Sequence, residues 1–156
     1  MRVSGTLGKR LKESKVSPDA VLRQAGLPPG LFQQSKIFLT TDEMFLLYHA
    51  IEEISGDPAI GLKLGSDERP EHYSAIAIAA LYTRSFRDAL NRIARYKRLT
   101  GPQEIRIVER GKECAVEFEW LLAERAEPPT LIDMCFAWTV AIGRRGTISS
   151  SSGSRT

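Results

Sequence analysis

Apolar positions along the chain follow two different periods. From Ser17 to about Thr100 they recur every three to four residues, the spacing of helices with one covered face. The first predicted helix opens with Ser17 as N-cap, Pro18 at the first helical position and Asp19 in the first turn. Val21, Leu22 and Ala25 supply its apolar side, and Gly26 ends it before Pro28-Pro29-Gly30. Thr40 and Glu43 form a capping-box pattern ahead of Met44, Leu47, Ile51 and Ile54, and Gly56 closes that helix. Asp57-Pro58 starts a short helix stopped by Gly65, and the run from Ser74 to Leu81 is apolar on nearly all sides, which predicts a buried helix.

Ser85 and Asp88 cap the next helix. At 100° per residue, Phe86, Ala89, Leu90, Ile93 and Tyr96 fall on one half, and Arg84, Arg87, Arg95 and Arg98 on the other. Past Gly101-Pro102 the period becomes two. Ile105 and Ile107, then Cys114, Val116, Phe118 and Trp120, alternate with polar residues around Gly111-Lys112, which predicts an antiparallel hairpin with one buried face. Pro128-Pro129 leads into an apolar helix from about Thr130 to Ile142. Residues 1–15 are polar and basic and are expected to form a flexible arm, and 147–156 are a low-complexity tail. A single domain over 16–146 is expected. Its fold class is α+β, with helices packed around a small antiparallel sheet that one hairpin leaves incomplete.

Composition narrows the function more by exclusion than by assignment. The 156 residues carry a net charge of +3. Residues 82–101 hold five arginines and one lysine against Asp88, leaving 16 basic and 18 acidic residues elsewhere. The basicity is local. Cys114 and Cys135 have neither disulfide-framework nor zinc spacing and are expected as buried free thiols. No acidic or cysteine partner stands at ligand spacing from His49 or His72, so no metal or cofactor is expected. Without a nucleophile elbow, P-loop or dinucleotide fingerprint, the chain is not expected to be an enzyme. The start lacks the apolar core of a signal peptide and no run is long enough to span a membrane, which predicts a cytoplasmic protein.

Direct DNA reading is tested by the same patterns. A recognition helix after Gly26 would have to pass through Pro28, Pro29 and Gly30, which break it. The arginines of 85–100 share a helix with a full apolar stripe, so they read as its solvated back, with DNA binding through that face as a lesser alternative. Tyr73, Tyr82, Tyr96, Trp120 and Trp138 are the candidates for lining a small-molecule cavity, against the plainer reading that they fill the core.

The order "ISGDPAIGLKLG" (54–65), an apolar helix, "SFRDALNRIARYKRLTG" (85–101) and a hairpin resembles the N-terminal effector-sensing half of AraC-type bacterial transcription regulators, the arabinose-binding-like domain. The likeness covers roughly residues 16 to 146, and "EHYSAIAIAA" departs from it where a G-x-L-G run is expected. The resemblance implies a domain that binds a small-molecule effector and dimerises, in a chain that stops before the helix-turn-helix units. It implies pairing with itself or with a full-length regulator, and neither nucleic acid nor membrane as a direct partner. The alternative is a stand-alone protein-interaction module that modulates a full-length regulator.

Overall fold

The computed structural model describes residues 2–67, 69 and 75–151, with the backbone alone from 146 onward. Among these residues lie seven α-helices and two two-stranded antiparallel sheets, an α+β fold. The chain divides into two units: residues 1–67 with 122–138, and residues 68–121 with 139–156.

The first unit is built on local signals. Helix α2 (Pro18–Gln24) is capped by Ser17, whose Oγ accepts from the Ala20 N–H at 3.3 Å. In α3 (Thr41–Ser55) the Thr40 Oγ1 accepts from the Glu43 N–H at 3.1 Å, and Glu43 Oε2 accepts from the Thr40 N–H at 2.8 Å. This reciprocal pair satisfies two donors that a helix start otherwise leaves open. Gly56 ends α3 at φ 60°, a left-handed conformation that suits a residue without Cβ. Leu47 and Ile51 of α3 are fully buried with Val21 of α2.

The N-terminal residues form structure where a flexible arm was expected. Strand β1 (Arg2–Val3) pairs antiparallel with β2 (Ile37–Phe38), and α1 (Leu7–Glu13) buries Leu7, Gly8 and Leu11. Val3, Leu7 and Leu11 recur every four residues, a stripe that the surrounding basic residues hide in a composition-based reading. A Cβ on Gly8 would stand 2.7 Å from Phe32 Cβ, so the glycine is what admits that ring. Phe32 belongs to a 3₁₀ turn, Leu31–Gln33.

Helix α4 (Ile60–Gly65) meets the first part of α7 (Pro129–Ser151) through its two glycines. A Cβ on Gly61 would run into the Thr130 carbonyl oxygen, and one on Gly65 into that of Met134 and, at 2.7 Å, into Ala137 Cβ. Backbone therefore lies on backbone, as small residues four apart on a helix permit. The same first part of α7 is tied to α3 by polar bonds: Thr130 Oγ1 donates to Glu52 Oε2 at 2.8 Å, and the Tyr48 hydroxyl donates to Met134 Sδ at 3.1 Å.

The second unit holds α5 (Ala75–Leu81), α6 (Phe86–Thr100), β3 (Gln103–Arg110) and β4 (Glu113–Trp120). Ser85 caps α6, accepting from the Asp88 N–H at 3.1 Å. Ala89, Leu90 and Ile93 are buried and Tyr96 is half-buried, while Arg84, Arg87, Arg95 and Arg98 are exposed, as the angular positions predict. Phe86, placed on the covered half, is exposed as well, because it stands in the first turn of the helix. The hairpin has the expected register, with Ile105 opposite Phe118 and Ile107 opposite Val116, around Gly111 at φ 63°.

Three expectations change here. Helix α5 buries Ile76, Ala77 and Ala80 but leaves Ile78 exposed, so it is covered on one side rather than all round. Cys114 is exposed and Cys135 half-buried, because Cys114 sits at the turn end of the hairpin, beyond its covered part. Helix α7 continues past Ile142 to Ser151, into the segment expected as a tail. The beginning of the 74–81 run, and His72 and Tyr73 before it, lie outside the described residues.

Candidate functional site

Within the second unit, Phe86, Val116, Thr139, Val140, Gly143 and Arg144 line an open groove of about 440 Å³. Its walls come from the start of α6, the middle of β4 and the middle of α7. Phe86 and Val140 stay 42% and 49% exposed, so the groove presents apolar side chains directly to water. Gly143 gives it depth, since a Cβ there would stand 3.0 Å from the Phe86 ring. Arg144 is the one cationic residue among those six lining residues. An apolar cleft of this volume with a polar or charged rim suits a small molecule with a hydrophobic body.

The covered face of the hairpin continues from this groove. Val116, Phe118 and Trp120 alternate along β4 on the side that Ile105 and Gln103 share on β3. The opposite face is wet. There Arg106 donates to Glu104 Oε2 at 3.2 Å and pairs with Glu119 Oε2 at 2.6 Å. The Glu104 hydrogen bond and then the Glu119 charge raise the guanidinium further above its ordinary range. Acidic residues on this face thus hold a cross-strand cation rather than a reaction.

The candidate aromatics are spread over several elements. Tyr82 is 84% exposed just after α5. Tyr96 is half-buried on α6, and Trp120 is half-buried as the last residue of β4. Trp138 is half-buried on α7 within the first unit. Tyr73 lies outside the described residues. None of the four described aromatics lines the groove. The groove residues were missed because each looks ordinary in sequence. Gly143, placed just past the expected helix end at Ile142, lies inside α7, so its close approach to Phe86 was not readable beforehand.

The basic helix α6 engages its own unit. Arg87 Nε stands 3.0 Å from Glu109 Oε1 and its Nη2 donates to Glu109 Oε2 at 3.0 Å, a two-point pair with β3. Arg92 Nη1 donates to the Ala79 carbonyl at 2.9 Å, tying α6 to α5. In the first unit, burial pushes the Tyr48 phenol above its ordinary range, with Cys135 adding to the shift and Arg10 opposing it. A neutral hydroxyl bonded to a thioether is a packing device. Among the described residues, no group of three or more His, Cys, Asp and Glu side chains is arranged to hold a metal ion. No helix among them is long and apolar enough to cross a membrane.

The model of the arabinose-binding domain of AraC transcription regulators, N-terminal, fits residues 16–150. No curated protein matches the chain.

Proposed function

We propose a function from one premise: the chain belongs to the family of N-terminal arabinose-binding domains of AraC transcription regulators. That family serves transcription regulation and is a regulator's domain, not an enzyme class. On this reading, the chain senses a small-molecule effector in the cytoplasm. The effector biases the domain between two arrangements, and a DNA-reading part of the regulator reports the bias. The observation that carries the reading is the match over residues 16–150, which takes in the groove and the hairpin.

Self-association accompanies sensing in this proposal. Leu99 and Leu122 are 78% and 70% exposed, and large apolar side chains in water favour a partner. Strands β3 and β4 pair only with each other among the described residues, which leaves unpaired edges. The same features support a second reading, a protein-interaction module that acts by pairing with a full-length regulator. Nucleic acid is not a direct partner in either. The buried stripe of α6, with Arg87 held by Glu109 and Arg92 by Ala79, supports a solvated back. Trp120, Tyr96, Tyr82, Trp138 and Tyr73 stay proposed as effector contacts.

Native mass spectrometry of the chain, incubated with the small-molecule fraction of a bacterial extract, tests the sensing role. A saturable adduct of small-molecule mass is expected. Protein without any adduct across extracts from several growth media would favour the interaction module.

A further inference from the structure

Gln103 opens β3 immediately after the Gly101-Pro102 link from α6, and it is 1% exposed. Neither Nε2 nor Oε1 of its carboxamide has a hydrogen-bond partner among the described residues. Such a group offers two donors and an acceptor, and nearly all buried polar groups find partners. A bridging water does not resolve the deficit, because neither atom borders a water-sized space.

The position makes the exception informative. Gln103 occupies the first place of an alternating Gln-x-Ile-x-Ile stretch, where the covered face of the hairpin calls for another apolar residue. The register sets it directly opposite Trp120, followed by Ile105 opposite Phe118 and Ile107 opposite Val116. Glu109 is the one charged residue on that face; it lies at the far end and is bonded by Arg87. The Leu121 N–H donates to the Pro102 carbonyl at 2.9 Å, closing the strand pair just outside Gln103.

We propose that Gln103 is the polar anchor of the effector site, and that its ligand is an uncharged carboxamide on an apolar body. The inference rests on the sensor reading above. A carboxamide meets Gln103 at two points: the ligand N–H donates to Oε1 while Nε2 donates to the ligand carbonyl. An ionised carboxylate has no donor for Oε1, and an ammonium has no acceptor for Nε2. Ile105, Phe118 and Trp120 supply apolar surface for the rest of the molecule. Because the amide is closed off, the ligand is admitted only when the Gln103–Trp120 end of the hairpin opens. Binding therefore draws the domain toward that open arrangement, which gives the sensor its two states.

The test uses Gln103→Leu and Gln103→Met, near-isosteric changes that remove the unpaired amide, with thermal unfolding read in the full chain. Without ligand, both variants are expected to melt about 2–4 °C higher than the parent. Benzamide and isobutyramide are expected to raise the parent midpoint saturably and leave both variants unmoved, and benzoate is expected to move none of them. Variants that melt lower than the parent would overturn the proposal, since their amide was then bonded. So would amides that fail to shift the parent, amides that shift parent and variants alike, or benzoate that protects as well as benzamide. An extract-derived adduct that survives in Gln103→Leu strikes only the anchor. Absence of any adduct in the parent strikes the sensor reading itself.

Discussion

Asp57 sits in the turn after α3, ahead of α4. Its Oδ1 accepts from the Ala59 N–H at 2.9 Å and its Oδ2 bonds the Lys63 ammonium. The Lys63 hydrogen bond, then the Ala59 N–H, hold this carboxyl below its ordinary 3.8. A depressed folded-state value stabilises the protein above 3.8, and that contribution is lost as pH falls through the lower folded value. The stability gap between parent and Asp57→Asn, read as urea midpoints, is therefore expected to close as the solution is acidified below 3.8. A gap that stays constant into strong acid would contradict this account. The Lys63 ammonium is exposed, so salt is expected to weaken its share. Asp57 was legible in sequence only as a helix start; the Lys63 partner six residues on required the turn geometry. Cys114 shows the opposite limit. Alternation placed it on the apolar face of its strand, but which part of that face is covered depends on neighbours distant in sequence.

The glycines of α4 act at the scale of elements. Gly61 and Gly65 let α4 and the first part of α7 touch through their backbones, at the carbonyls of Thr130 and Met134. Backbone cannot step aside as a side-chain tip can, so Gly65→Ala and Gly61→Ala are each expected to cost about 1–3 kcal/mol. Chemical denaturation checks this. A variant as stable as the parent would show that the two helices do not meet in this way. Sequence marked Gly65 as a stop signal, and it is the last residue of α4; its contact with α7 was not legible. Caps were the most legible elements: Ser17, Thr40, Gly56 and Ser85 all act as their local sequence predicts. A cap depends on residues within one turn, and nothing distant can overrule it. Helix α1 was not legible, because Leu7 and Leu11 are outnumbered by basic neighbours. The continuation of α7 to Ser151 defied a composition that has little helix preference.

For the whole molecule, the α+β class and the family followed from the order of elements, and the family match extends over 16–150. The division into two units was not foreseen, since each draws on segments far apart in the chain. Nor was the groove, which gathers Phe86, Val116 and Gly143 from three elements. The central claim is that this domain converts small-molecule binding into a change that a DNA-reading partner can report. The most direct measurement joins residues 1–151 to a heterologous DNA-binding module that represses a reporter only when paired. Reporter output is then followed as cells are supplied with panels of amides, sugars, amino acids and carboxylates. The account predicts that repression occurs and that at least one compound changes it saturably, with amides favoured and the response lost in Gln103→Leu. Repression that is present but indifferent to every compound would contradict sensing and leave a pairing module in its place.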